Sequence, residues 1–204
     1  MNKRRDMMKG NKLKAKDFIT LGIFTVLFFA VVMICIFASA VTVVSYAFGP
    51  AIAAIPGGVI YMFMRVKVQK PGGIFLSGLV IGIVEFLMGA GWPVALGFII
   101  GALIAEIISR AGAYENYMLH AVGYGFFMVC FAIGTYLPMM MMTSYIDSMT
   151  SSNGVDIEFM NSLYAFINGP MVFVIAVVTF LCGMLGAFIG KLAFKKHFVR
   201  AGIA

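Results

Sequence analysis

Charge is scarce in this chain. Only 11% of its 204 residues are Asp, Glu, Lys or Arg, while 62% are hydrophobic and the mean hydropathy is +1.02. Soluble domains carry about 25% charged residues, so a soluble globular protein is excluded. Cysteine is limited to Cys35, Cys130 and Cys182, each inside an apolar run. Their spacing fits no metal motif and no disulfide is expected; they read as small core hydrophobes. The chain lacks GxxxxGK[ST], HExxH and GxSxG, and no Ser/His/Asp set falls in one plane. P-loop ATP hydrolysis, zinc proteolysis and serine hydrolysis therefore have no residues to run on. The chain is not expected to be an enzyme, and no intrinsic cofactor or metal is expected.

What remains is apolar sequence punctuated by glycine, proline and a few charges. Residues 1–17 form a basic leader, and Phe18 to Phe48 then runs without a charge. A spanning helix needs about 20 apolar residues, so helix 1 is expected over about 18–40, followed by an apolar connection. A second helix is expected from about Pro50 to Met64, interrupted at Pro56-Gly57-Gly58, because proline removes a helix hydrogen bond. Two readings of that interruption stay open: a kink, or a broken helix lining a cavity. Helix 3 is expected in the run Gly73 to Pro93, helix 4 from about Pro93 to Ser109, helix 5 from about Asn116 to Leu137, and helix 6 from about Pro170 to Leu192. An outer loop is expected over about 138–169, and 193–204 is a basic tail. The membrane domain is thus 18–192. Glycine pairs four apart, Gly78 with Gly82, Gly97 with Gly101 and Gly186 with Gly190, suit close helix packing.

The charges give this reading a direction. The leader, the loop after helix 2, the loop after helix 4 and the tail hold all fifteen Lys and Arg. The other side holds none, and carries Asp147, Asp156 and Glu158. By the positive-inside rule the basic side is cytoplasmic. The expectation is an all-α integral membrane protein of six transmembrane helices, with N and C termini cytoplasmic. The net charge of +7 is then topogenic and faces anionic lipid, not nucleic acid.

Against this background Glu85 stands out. A carboxylate at mid-bilayer costs at least about 2.5 kcal/mol, which makes it a functional candidate. It lies twelve residues beyond Gly73, roughly 18 Å along a helix, in the outer half. Gly89-Ala90-Gly91-Trp92-Pro93 follows as the outer turn with the only tryptophan. Glu85, Trp92, Met139, Met142, Tyr145 and Asp147 are therefore expected to line an outward pocket. The methionine run Met139 to Met142 supplies adaptable apolar surface for a flat ligand. Glu106 stands four residues before Arg110, the helical spacing of an ion pair, and is expected to be structural. His120, near the inner face, is a weak candidate metal ligand, read first as hydrogen-bonded structure.

Four stretches together carry a family resemblance. They are Asp17-Phe18-Ile19-Thr20-Leu21-Gly22-Ile23-Phe24-Thr25, Pro56-Gly57-Gly58 with Ile60-Tyr61-Met62, Gly89-Ala90-Gly91-Trp92-Pro93, and Lys195-Lys196-His197-Phe198 with Ala201-Gly202-Ile203. Over essentially its whole length the chain resembles the Trep-Strep or MptD-type S components of bacterial energy-coupling factor (ECF) importers. The resemblance implies an S-component-like bundle in the bacterial cell membrane. It would work with a transmembrane T subunit and two cytoplasmic ATPases, capturing a small hydrophobic micronutrient. Haem or another tetrapyrrole is one ligand the family suggests. Better-known S components dock through an Ala-x-x-x-Ala surface on helix 1, where this chain offers Gly22, Thr25 and Ala30. Two rival classes remain: a stand-alone proton-coupled carrier using Glu85, and a ligand-free membrane assembly factor.

Overall fold

The computed structural model describes residues 12–114, 116–141 and 156–200, with backbone alone at 194 and 196–200. Among the described residues the chain is all helical: α1 (Ala15–Ser39), α2 (Val43–Ala47), α3 (Gly49–Lys67), α4 (Gly73–Leu87), α5 (Trp92–Ala111), α6 (Tyr117–Met141), α7 (Ile157–Phe166) and α8 (Gly169–Arg200). Five of these, α1, α3, α5, α6 and α8, are long and apolar enough to cross a membrane. The sixth expected span, α4, is apolar but has only 15 residues. At 1.5 Å per residue it rises about 22 Å, short of a core about 30 Å thick. It stops early because Gly89 and Gly91 take φ of 88° and 87° and turn the chain over.

Local chemistry sets the helix starts. The Lys14 N–H donates to the Asp17 carboxylate at 2.7 Å, and Asp17 also pairs with Lys70. Thr42 caps α2 by accepting from the Ser45 N–H. Asp156 caps α7 in the same way, accepting from Glu158. Proline sits in the first turn of α3 and α5, where its missing N–H is no loss.

Two expectations about proline are corrected, the broken-helix reading at Pro56 and the loop start at Pro138. Pro56 does not break α3, which is continuous from Gly49 to Lys67. Gly57 and Gly58 serve packing instead. A Cβ on Gly58 would lie 2.6 Å from the Gly186 carbonyl carbon, and one on Gly57 would lie 2.7 Å from the Tyr124 hydroxyl. That hydroxyl donates to the Ala54 carbonyl, a polar contact that ties α6 to α3 in the turn before Gly58. Pro138 does not open the outer loop either: α6 runs through it to Met141. The loop expected over 138–169 contains the helix α7, and α8 continues past Leu192 into the basic tail.

The antiparallel order gathers the charges at one end. Lys70 meets Asp17, Gly72 meets Glu106, His120 meets Ser109, and Lys191 lies over the Tyr117 ring at 4.2 Å. This is the basic end of the bundle. At the opposite end α2 and α7 pack on each other and on the ends of α6 and α8 through Tyr46, Tyr136, Met160 and Leu163. Between them lies an aromatic core around Phe28, Phe98, Tyr124, Phe127 and Phe131. Here α5 and α6 touch at backbone distance, a Cβ on Gly97 falling 2.6 Å from the Cys130 carbonyl oxygen. Membrane helices associate through such contacts, since lipid offers no hydrophobic drive between them.

Candidate outer pocket

A cavity of about 360 Å³ opens at the end away from the basic residues. It falls within the usual range of small-molecule sites, about 300–1,000 Å³. Five helices build it: α1 supplies Met33, Ile36 and Phe37, α2 Tyr46, α4 Glu85 and Met88, α5 Val94, and α6 Phe131, Thr135, Tyr136 and Met139. Gly89 and Ala90 close the side between α4 and α5.

Glu85 is 4% exposed. Its Oε1 is buried with no hydrogen-bond partner, and no described basic side chain pairs with it. Two of the three hydroxyls of the wall already spend their protons inside the protein, and the third, on Tyr46, has no fixed partner among the described residues. The Tyr136 hydroxyl donates to the Tyr46 carbonyl at 2.7 Å, and the Thr135 hydroxyl to the Phe131 carbonyl at 2.9 Å. The site is thus an apolar, thioether- and aromatic-walled chamber around one uncompensated acid.

Of the expected pocket residues, Glu85 and Met139 are brought together here. Trp92 is not. It is 51% exposed and faces a second, wholly different groove of about 430 Å³ between α5 and α6, with Leu96, Ile100 and Leu137. The turn at Gly91 rotates it away from Glu85. Met142, Tyr145 and Asp147 lie outside the described residues. Sequence reasoning missed Met33, Tyr46, Met88 and Tyr136. Met33 and Met88 are apolar residues within apolar runs and carry no signal that sets them apart, and Tyr46 comes from a segment read only as a connection.

The second buried acid is differently placed. Glu106 accepts from the Gly72, Ile74 and Phe75 N–H groups at 2.7, 3.0 and 3.2 Å, and from the Tyr114 hydroxyl at 2.7 Å. It caps α4, which has no cap of its own, and forms no salt bridge with Arg110 as expected from spacing. Burial, together with the hydrogen bond it donates to Glu106, pushes the Tyr114 phenol above its usual range. Nearby, Arg65 is 1% exposed, and its guanidinium nitrogens have no hydrogen-bond partner among the described residues. It lies 5.5 Å from the Tyr114 ring centre. Arg65 is therefore an interior residue, not the lipid-facing topogenic charge its sequence position suggests. The Tyr61 hydroxyl, one turn away, faces Ser109 without a hydrogen bond of good geometry. His120 is buried at this same end, its ring nitrogens 2.9 Å from the Ser109 hydroxyl and 2.9 Å from the Tyr114 carbonyl. Both are occupied and far from the pocket. No group of three or more potential ligands forms a metal cluster among the described residues.

On α1, Gly22 and Ala30 are exposed, and a Cβ at Gly22 would meet nothing within 4 Å. Thr25 is not on that face: it is buried and donates to the Ser77 hydroxyl at 2.9 Å. The docking face expected from Gly22, Thr25 and Ala30 thus loses its middle member.

Helices of this length and apolarity, tied together by small-residue contacts and polar caps, define a multi-pass integral membrane protein of the bacterial membrane. Residues 15–200 match the model of a family described as hypothetical bacterial integral membrane protein (Trep_Strep), and the chain belongs to that family. No curated protein and no solved structure matches the chain.

Proposed function

We propose that this protein is the substrate-capture component of an energy-coupling factor importer, with six spans and both termini in the cytoplasm. The observation that carries the reading is the Glu85 pocket: a ligand-sized chamber at the end opposite the basic residues, holding an unsatisfied acid. Oriented by the positive-inside rule, the pocket faces outward. A site of this kind suits capture of a small, largely apolar micronutrient; a tetrapyrrole carrying ionised carboxylates, as haem does, would set them against Glu85. With no ATP-binding motif in the chain, energy comes from partners, a membrane T subunit and two cytoplasmic ATPases. The exposed face of α1 around Gly22 and Ala30 is the proposed contact with the T subunit.

Affinity purification of the tagged chain from its own membranes tests the assignment. The expected result is co-purification of one transmembrane partner and two ATPases, with substrate uptake abolished by a catalytic-site substitution in either ATPase. The acid in the pocket also favours a second reading, a proton-coupled carrier acting alone. That reading predicts uptake in cells lacking the ATPases, and such uptake would displace the first.

A further inference from the structure

Resting on the capture reading, we infer that the ligand of the outer pocket is an organic monocation with an aromatic or apolar body. Four observations converge on that class. First, Glu85 is an acid with a buried, unpartnered oxygen. An isolated buried carboxylate is strongly unfavourable, and a counter-charge removes the penalty. The described basic side chains all belong to the opposite end of the bundle, so the protein supplies none.

Second, the helix ends add negative potential. The last two or three turns of α1, α4 and α6 form most of the wall, through Phe37, Met88 and Met139 among others. A helix C-terminus carries roughly half a negative charge, felt within its last turn. The first turn of α5, which contributes Val94, and the short α2, which contributes Tyr46, are the helix starts in the wall, and with the Tyr46 hydroxyl they are the features there that suit an anion.

Third, two of the three wall hydroxyls offer oxygens and not protons. Tyr136 and Thr135 donate to backbone carbonyls, leaving their lone pairs for a donor on the ligand. Tyr46 alone keeps a hydroxyl with no fixed partner among the described residues. An anionic ligand would meet Glu85 with almost nothing to offset the repulsion. Fourth, beside Ile36, Val94 and the Gly89-Ala90 turn, the remaining wall includes aromatic rings and thioethers, from Phe37, Phe131, Met33 and Met139. Ring faces attract cations through their quadrupole, more strongly when water is excluded, and sulfur is polarisable.

Three small probes with a shared bicyclic ring test the class: N-methylquinolinium (cation), 1-methyl-2-quinolone (neutral) and quinoline-4-carboxylate (anion). Binding is measured by calorimetry on the full chain in nanodiscs, with empty discs as the blank. The expected result is that the cation binds about tenfold or more tighter than either other probe, the factor that about 1.4 kcal/mol of charge recognition gives. In Glu85→Gln that preference should shrink to within about threefold, the lone charge–carboxylate contact being gone. The probe comparison on the wild-type chain stands by itself if that variant is not recovered folded. Equal affinity for cation and neutral probe, or preference for the anion, overturns the cation class while leaving the capture reading in place. No binding of any probe above the blank also overturns the cation class, while co-purification of the partners and ATPase-dependent uptake decide the capture reading separately.

Discussion

Glu85 and Glu106 are both buried acids on neighbouring, packed helices, yet their surroundings are opposite. Glu106 receives four hydrogen bonds and completes the start of α4. The Glu85 Oε1 receives none and opens on a cavity. Burial alone therefore does not mark a functional acid in a membrane protein. The satisfied carboxylate is a structural part, because every lone pair has a protein donor to answer its lost hydration. The unsatisfied one carries an energetic penalty that folding has not removed, and such a group persists where something outside the chain completes it.

The sharpest way to break this contrast is to remove the satisfied acid. Glu106→Ala strands three N–H groups and a phenol in the interior. It should lower unfolding stability by about 3–5 kcal/mol, as loss of one partner from a buried charged network does. Thermal unfolding in detergent reads this, and a change below about 1 kcal/mol would show that Glu106 is not the cap of α4.

Next in size is a packing change remote from both acids. Gly58→Val places a branched side chain where a Cβ already meets the Gly186 backbone. Forcing α3 from α8 should destabilise by about 1–3 kcal/mol, again by thermal unfolding, with ligand affinity of the folded fraction little changed.

Glu85→Gln should behave in the reverse sense to Glu106→Ala. It removes an uncompensated charge, so unfolding stability should hold or rise, while ligand affinity falls about tenfold or more, or at least about 1.4 kcal/mol. Loss of stability with unchanged affinity would reverse the roles assigned to the two acids. The smallest expected effect is that of Trp92→Ala. The side chain faces the α5–α6 groove and not the pocket, so ligand affinity should stay within about twofold, the scatter of a contact-free substitution.

Much of the scaffold was legible in the sequence because uninterrupted apolar runs and their charged punctuation are read by the membrane itself. Helices α1, α5 and α6 begin within three residues of where they were expected. What failed were positions where a neighbour overrides a local signal. Pro56-Gly57-Gly58 reads as a kink or a break, yet α3 runs through it unbroken, and only the arrival of Gly186 and Tyr124 shows why glycine is there. Pro138 likewise reads as a stop, yet α6 carries on for another turn. Glu85 was singled out because an acid in an apolar run is conspicuous, and the structure places it in a cavity wall. Trp92 was misassigned because the rotation introduced at Gly91 cannot be read from residue order. Glu106 was recognised as structural, but its partners are backbone amides of another helix, invisible to a spacing rule that looks only four residues along.

The measurement that bears most directly on the Glu85 pocket is native mass spectrometry of the gently purified chain, wild type beside Glu85→Gln. A small molecule retained by the wild type and lost from the variant, at equal folded yield, is the predicted result. Equal retention by both chains would contradict the claim that Glu85 holds the ligand.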